Sequence, residues 1–197
     1  NATLTVVYAA YFTQHPQSVS VIAGGTVVFT AQAATPYPPL PYQWRQNGTN
    51  IPNATNATLT LLGVQPANAG TYQLVATDAV ASVLSTPASL SVVVRPFLTQ
   101  VPLSQAVAPG SVITLSVTVS NSATLPLGFR WRRNGSSISN GMQVLNDYTC
   151  FFTVTNTTAA SYNVIVTNIA TGASGTSSPN ATITFLLDSD ADGLPDR

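Results

Sequence analysis

The 197-residue chain has no lysine and no glutamate, and charged residues make up 6% of it, against about 25% in ordinary soluble proteins. Without lysine, a lysine-to-asparagine isopeptide cross-link is chemically impossible. The arginines offer one cluster, Arg130, Arg132 and Arg133, too little to track a phosphate backbone, so nucleic acid is excluded as a partner. The solvent faces must be built from Thr, Ser, Asn and Gln. A surface with so little like-charge repulsion favours lateral association, or takes its solubility from another source such as attached glycan.

Cysteine and histidine are equally scarce. A single cysteine, Cys150, excludes an internal disulfide, and is expected to be a small packed residue of a strand. A single histidine, His15, has no neighbours with which to build a transition-metal site. The two fall in different predicted domains, which excludes a Cys-His dyad. No nucleophile elbow, phosphate loop or pair of glutamates is present, and the reading is that the chain is not an enzyme. No run reaches the roughly 18 apolar residues of a membrane span. No basic-apolar-small leader opens the chain, so the expectation is a mature or internal segment.

What the chain does contain is a set of short runs rich in Val, Thr, Phe and Tyr, separated by Gly, Pro, Asn and Ser, with no sustained helical period. That pattern predicts an all-β protein. In Gly24-Gly-Thr-Val27-Val-Phe29-Thr-Ala31 the apolar residues fall on one face at the period of a half-buried strand. Two later blocks follow it, Tyr42-Gln-Trp44-Arg-Gln-Asn-Gly48 and Asn68-Ala-Gly70-Thr-Tyr72-Gln-Leu74. The three then recur in order as Gly110-Ser-Val-Ile113-Thr-Leu115-Ser-Val117, Phe129-Arg-Trp131-Arg-Arg-Asn-Gly135 and Ala160-Ser-Tyr162-Asn-Val164. A repeat at this spacing predicts two tandem sandwich domains of roughly 90 residues. Pro96 lacks a ladder donor and marks the boundary between them. The expected division is an extra strand over 1–8, a first domain over 9–95, a second over 96–187 and an acidic tail over 188–197.

With Trp44 and Trp131 on one strand and Tyr72 and Tyr162 on a later one, the chain resembles the disulfide-free bacterial immunoglobulin-like repeats of large secreted and surface proteins. The resemblance spans almost the whole chain and is looser in the second repeat, where Thr158-Ala-Ala160 replaces the family's Asp-x-Gly. It implies a fold of two immunoglobulin-like β-sandwiches and an extracellular or cell-surface setting. It also places Ala31 and Leu74, then Val117 and Val164, where a disulfide would lie. Packed carbon must fill that gap, because losing a native disulfide typically costs about 2–5 kcal/mol. The expected core is therefore Ala31, Trp44, Tyr72 and Leu74 in one domain and Val117, Trp131, Tyr162 and Val164 in the other.

The N-terminus repeats a strand that each domain already owns. Asn1-Ala-Thr-Leu4-Thr-Val6-Val7 is similar to Ala88-Ser-Leu90-Ser-Val92-Val-Val94 and to Asn180-Ala-Thr-Ile183-Thr-Phe185. Residues 1–8 therefore read as the closing strand of a preceding repeat, or as a donor strand presenting Leu4 and Val6 to a neighbouring copy. Such a head-to-tail contact does not close, and generates a fibre or array.

Two further motifs bear on partners. Asn-x-Ser/Thr sequons begin at Asn1, Asn47, Asn53, Asn56, Asn134, Asn156 and Asn180, several of them in predicted turns where a glycan can be carried. The segment Asp188-Ser-Asp190-Ala-Asp192-Gly193-Leu-Pro-Asp196 resembles calcium loops of the EF-hand or thrombospondin type 3 kind. That resemblance implies Ca2+ held by Asp188, Asp190, Asp192 and Asp196 with the Leu194 carbonyl, although no bidentate acid completes the loop before Arg197. A solvated acidic tail is the alternative. The functional expectation is a structural or adhesive surface repeat whose partners are itself or neighbouring repeats. The alternative is a carbohydrate- or protein-binding module of a larger secreted enzyme, using Tyr37, Tyr42 and the Pro36 to Pro41 loop.

Overall fold

The computed structural model describes residues 6–155, 158–169 and 175–186, and the chain divides into two compact units, Asn1–Val93 and Val94–Arg197. Among the described residues there is no α-helix; one 3-10 turn, Pro66–Asn68, is closed by Asn68 Oδ1 accepting from the Gln65 N–H at 2.8 Å.

The first unit runs β1 (Tyr11–Gln14), β2 (Val19–Ile22), β3 (Val27–Thr30), β4 (Gln32–Ala34), β5 (Tyr42–Gln46), β6 (Thr49–Asn50), β7 (Thr58–Leu61), β8 (Gly70–Thr77), β9 (Ser82–Leu84) and β10 (Ala88–Val93). One layer is the sheet β2-β10-β8-β5-β6, with β2 parallel to β10 and β9 also on β8; opposite it lie the pairs β1-β4 and β3-β7. Alternation decides which residues point inward. In β3, Val27 and Phe29 are buried while Val28 faces out, as a period of two requires. Phe29 stacks on Tyr72 with ring centroids 4.8 Å apart, and its ring is tilted against Trp44 with centroids 6.1 Å apart.

The second unit runs β11 (Leu98–Gln100), β12 (Gln105–Val107), β13 (Val112–Val119), β14 (Leu127–Arg133), β15 (Ser136–Leu145), β16 (Thr149–Thr155), β17 (Ala160–Asn168), β18 (Thr176–Ser177) and β19 (Ala181–Phe185). Its layers are β11-β13-β16 and β12-β19-β17-β14-β15, with β18 also on β17 and β12 parallel to β19. Strand β13 buries Ile113, Leu115, Val117 and Val119 and turns Val112, Thr114, Ser116 and Thr118 outward or to the margin. The aromatic packing differs from the first unit. Trp131 stacks on Phe152 at 5.3 Å, so the ring beside the indole comes from β16 and not from β13.

Both units use the same two-residue hairpin. Asn47 and Gly48 have φ of 50° and 82°, and Asn134 and Gly135 have 48° and 81°. Two successive left-handed residues make the turn that matches strand twist, which is why Asn-Gly occupies it. Asn47 Oδ1 accepts the Thr71 N–H at 2.9 Å and Asn134 Oδ1 accepts the Ser161 N–H at 2.8 Å, fixing each turn to the strand behind it.

Candidate interaction surfaces

The residues expected to replace a disulfide lie in the interior of each unit. Ala31, Trp44, Tyr72 and Leu74 are fully buried, as are Val117, Trp131, Tyr162 and Val164. Trp44 sits directly opposite Leu74 across the β5-β8 pair, and Trp131 opposite Val164 across β14-β17, so the aliphatic and indole groups fill one layer of the core. Tyr72 donates its hydroxyl to the Asn68 carbonyl at 2.7 Å, the corner bond that pins the entry to β8. Burial pushes the Tyr72 phenol pKa up. The two indole N–H groups find different acceptors. Trp44 donates to the Asn56 carbonyl at 2.8 Å and Trp131 to Cys150 Sγ at 3.5 Å. Cys150 is fully buried in β16, and desolvation raises its thiol pKa more than the Trp131 bond lowers it. A thiol so placed is packed in the core and serves as the acceptor for the indole N–H.

Sequence reasoning missed two buried hydroxyls that do the same work in both units. Ser85 Oγ accepts the Leu74 N–H at 3.0 Å, and Ser178 Oγ accepts the Val164 N–H at 3.0 Å. Each stands where the closing strand breaks its ladder, between β9 and β10 or β18 and β19, and satisfies a donor that would otherwise be buried unpaired. A serine two residues or one residue before a proline, in Ser85-Thr86-Pro87 and Ser178-Pro179, is the signal that could have found them.

The N-terminal ribbon is placed in part. Leu4 lies outside the described residues; Val6, Val7 and Tyr8 belong to no strand, against the strand expected over 1–8, and are 60%, 55% and 67% exposed. The chain becomes anchored at Ala10, which is buried. Its N–H is one of the donors around Asp78, whose carboxylate also accepts from the Thr35 hydroxyl at 2.7 Å and from the Val80 and Ala81 N–H groups at 2.9 Å each. The Thr35 hydroxyl and then the Ala81 N–H are the main reasons that Asp78 is held below the usual carboxylate range. A cleft of about 560 Å³ lies next to this anchor, lined by Tyr8, Ala9, Tyr11, Ala34, Thr35 and Pro36.

That arrangement changes the aromatic cluster expected for a binding module. Tyr42 has its hydroxyl engaged twice with Ala33, donating to the carbonyl and accepting from the N–H at 3.1 Å each, and Tyr37 is half-buried outside the cleft. Tyr8 and Tyr11 supply the ring surface instead.

Of the sequons, Asn53, Asn56 and Asn180 are exposed, Asn47 and Asn134 have their amide oxygens tied into the hairpins, and Asn1 and Asn156 lie outside the described residues. So do Asp188, Asp190, Asp192, Leu194 and Asp196. No helix among the described residues is long and apolar enough to cross a membrane.

Residues 11–78 match the profile of the immunoglobulin domain family, about a third of the chain. Among solved structures, an I-band fragment from titin matches with a TM-score of 0.74 at 18% identity, over 91% of this chain and 66% of that one. Both units are immunoglobulin-like sandwiches. The crystal structure of Rst D1-D2 matches at 0.71 and 14% identity, over 90% of this chain and 100% of that one. Extracellular domains 3-5 of Drosophila OTK match at 0.60 and 15% identity, over 92% and 63%. The chain thus spans about two thirds of the length of the titin and OTK immunoglobulin-like structures.

Proposed function

We propose that this chain is a non-catalytic structural or adhesive element of a cell-surface or extracellular array, in which immunoglobulin-like modules are joined head to tail through the N-terminal ribbon. The observation that carries this reading is the exposure of Val6, Val7 and Tyr8 ahead of a unit that already owns its closing strand, β10, hydrogen-bonded to β8 and β2. The sequence of residues 1–8 repeats the alternation of a closing strand, and its described part, Val6 to Tyr8, belongs to no sheet. It gains most by adding to an open sheet edge of a neighbouring module, whether an adjoining repeat or another copy. The buried, hydrogen-bonded cores supply rigidity. Low charge supports close packing of such modules. Calcium at the 188–196 loop would stiffen a junction to a following module, and sugars on the exposed sequons would supply solubility.

The test is binding of a synthetic peptide of residues 1–8 to a chain lacking those residues. Calorimetry should show saturable association, weakened when Leu4 and Val6 are both replaced by Asn. Absence of binding by either peptide would refute donation to another copy. A second reading, a carbohydrate- or protein-binding module, draws on the cleft walled by Tyr8, Tyr11 and Pro36. A glycan array comparing the intact chain with Tyr11→Ala separates the two, since only the binding module predicts a signal that the substitution removes.

A further inference from the structure

The geometry of the second unit points to an additional self-recognition site: we propose that the free edge of β16 pairs antiparallel with β16 of a second copy, joining two three-stranded sheets into one. Among the described residues β16 pairs with β13 alone. The direction of its backbone groups can be read from two bonds. The Tyr148 carbonyl accepts from Val119 on the β13 side at 2.8 Å, whereas the Phe151 carbonyl accepts from the Gln143 Nε2 amide at 3.1 Å. Successive residues in an antiparallel strand alternate their hydrogen-bonding side, so Thr149, Phe151, Thr153 and Thr155 turn their N–H and C=O groups to the open edge.

Edges of this kind are ordinarily blunted by a charge, a proline or a bulge. Strand β16 has none of these: Thr149-Cys-Phe-Phe-Thr-Val-Thr155 is uncharged, and its register on β13 is unbroken from Val112 to Thr118. The segment is also nearly symmetric about Phe152. Antiparallel pairing centred there sets Phe151 against Thr153, Thr149 against Thr155 and Cys150 against Val154. Residues on the inner face then meet residues on the inner face, the condition that a one-residue slip would violate.

The open-edge residues are the ones that fall opposite one another, giving about eight backbone hydrogen bonds, for which the Gln143 amide gives up the Phe151 carbonyl. The partner covers Phe152 and Val154, which β16 leaves half-buried at the core margin, and Phe151, 61% exposed. The matching edge in the first unit, β7, has four residues against seven here. A two-fold contact of this sort closes on itself and builds no fibre. Its role beside a head-to-tail linkage is to tie two strings of modules side by side, and it does not depend on the ribbon.

The test uses the full chain in two variants, Phe151→Cys and Thr153→Cys, each with Cys150→Ala, mixed under mild oxidation. The mixed 151-to-153 disulfide should exceed either homodimer by about tenfold, because a directly opposed pair meets the distance limits of a disulfide and the other pairings lie off register. Equal yields of the three species, or none, would overturn the pairing. In sedimentation equilibrium the chain lacking residues 1–8, in which head-to-tail linkage is removed, should form dimers. The dimers should vanish with Phe151→Lys and Thr153→Lys, outward positions whose change leaves the far-UV circular dichroism spectrum in place. A chain lacking residues 1–8 that stays monomeric at millimolar concentration, or its double lysine variant that still dimerises, would refute the proposal.

Discussion

At the scale of single residues, the stability of each unit rests on carbon packed where a disulfide is absent. Leu74 is fully enclosed and faces Trp44, so Leu74→Ala leaves a cavity that cannot collapse without moving the indole. The expected cost is about 2–5 kcal/mol, read from denaturant unfolding; an unchanged midpoint would show that the first unit does not depend on this contact. Asp78 makes a pH prediction. A carboxylate held below its ordinary range by the Thr35 hydroxyl and backbone donors contributes stability that is present above the unfolded pKa and is lost as pH falls through the folded one. The melting temperature of the first unit should therefore drop on acidification below about pH 4, and Asp78→Asn should flatten that drop. The Cys150 thiol, raised by burial, should react with iodoacetamide only as fast as the second unit opens. Rapid labelling of the native protein would contradict its role as the acceptor for Trp131.

At the scale of elements, the hairpins make the clearest mutational target. Gly48 and Gly135 hold φ near +80° with open space around them, so alanine there costs backbone strain without a clash. Each substitution should lower stability by about 1 kcal/mol or slightly more, seen as a shift in the unfolding midpoint. The signal for these hairpins is present in the sequence, since Asn-Gly follows each tryptophan strand at a fixed interval. The same holds for the alternating blocks around Val27, Phe29, Ile113 and Leu115, where a period of two by itself marks a strand with one buried face. Other features were not legible, for a physical reason. Phe152 takes the place beside the indole in the second unit that Phe29 holds in the first, yet it comes from a different strand, and no local pattern says which ring will reach an indole. The Ser85 and Ser178 hydroxyls serve backbone donors of another strand, a long-range match invisible to periodicity. Likewise the aromatic wall of the cleft pairs Tyr8 and Tyr11 with Pro36, residues brought together only when β1 pairs with β4.

At the scale of the whole molecule, the absence of lysine and glutamate and the balance of six basic and six acidic residues bear on the proposed contacts between copies. Contacts made by backbone ladders and Thr, Val and Phe side chains carry almost no Coulomb component, so raising salt from low ionic strength to about 0.5 M should leave association unchanged. Strong salt dependence would transfer the explanation to the arginine cluster of β14. The head-to-tail account makes the sharper demand, because it assigns linkage to a ribbon that the sandwich itself does not need. Negative-stain electron microscopy of the intact chain beside a chain lacking residues 1–8 tests it most directly. Linear strings of modules in the first and only short, unlinked particles in the second are the predicted result; strings of equal length in both would contradict it.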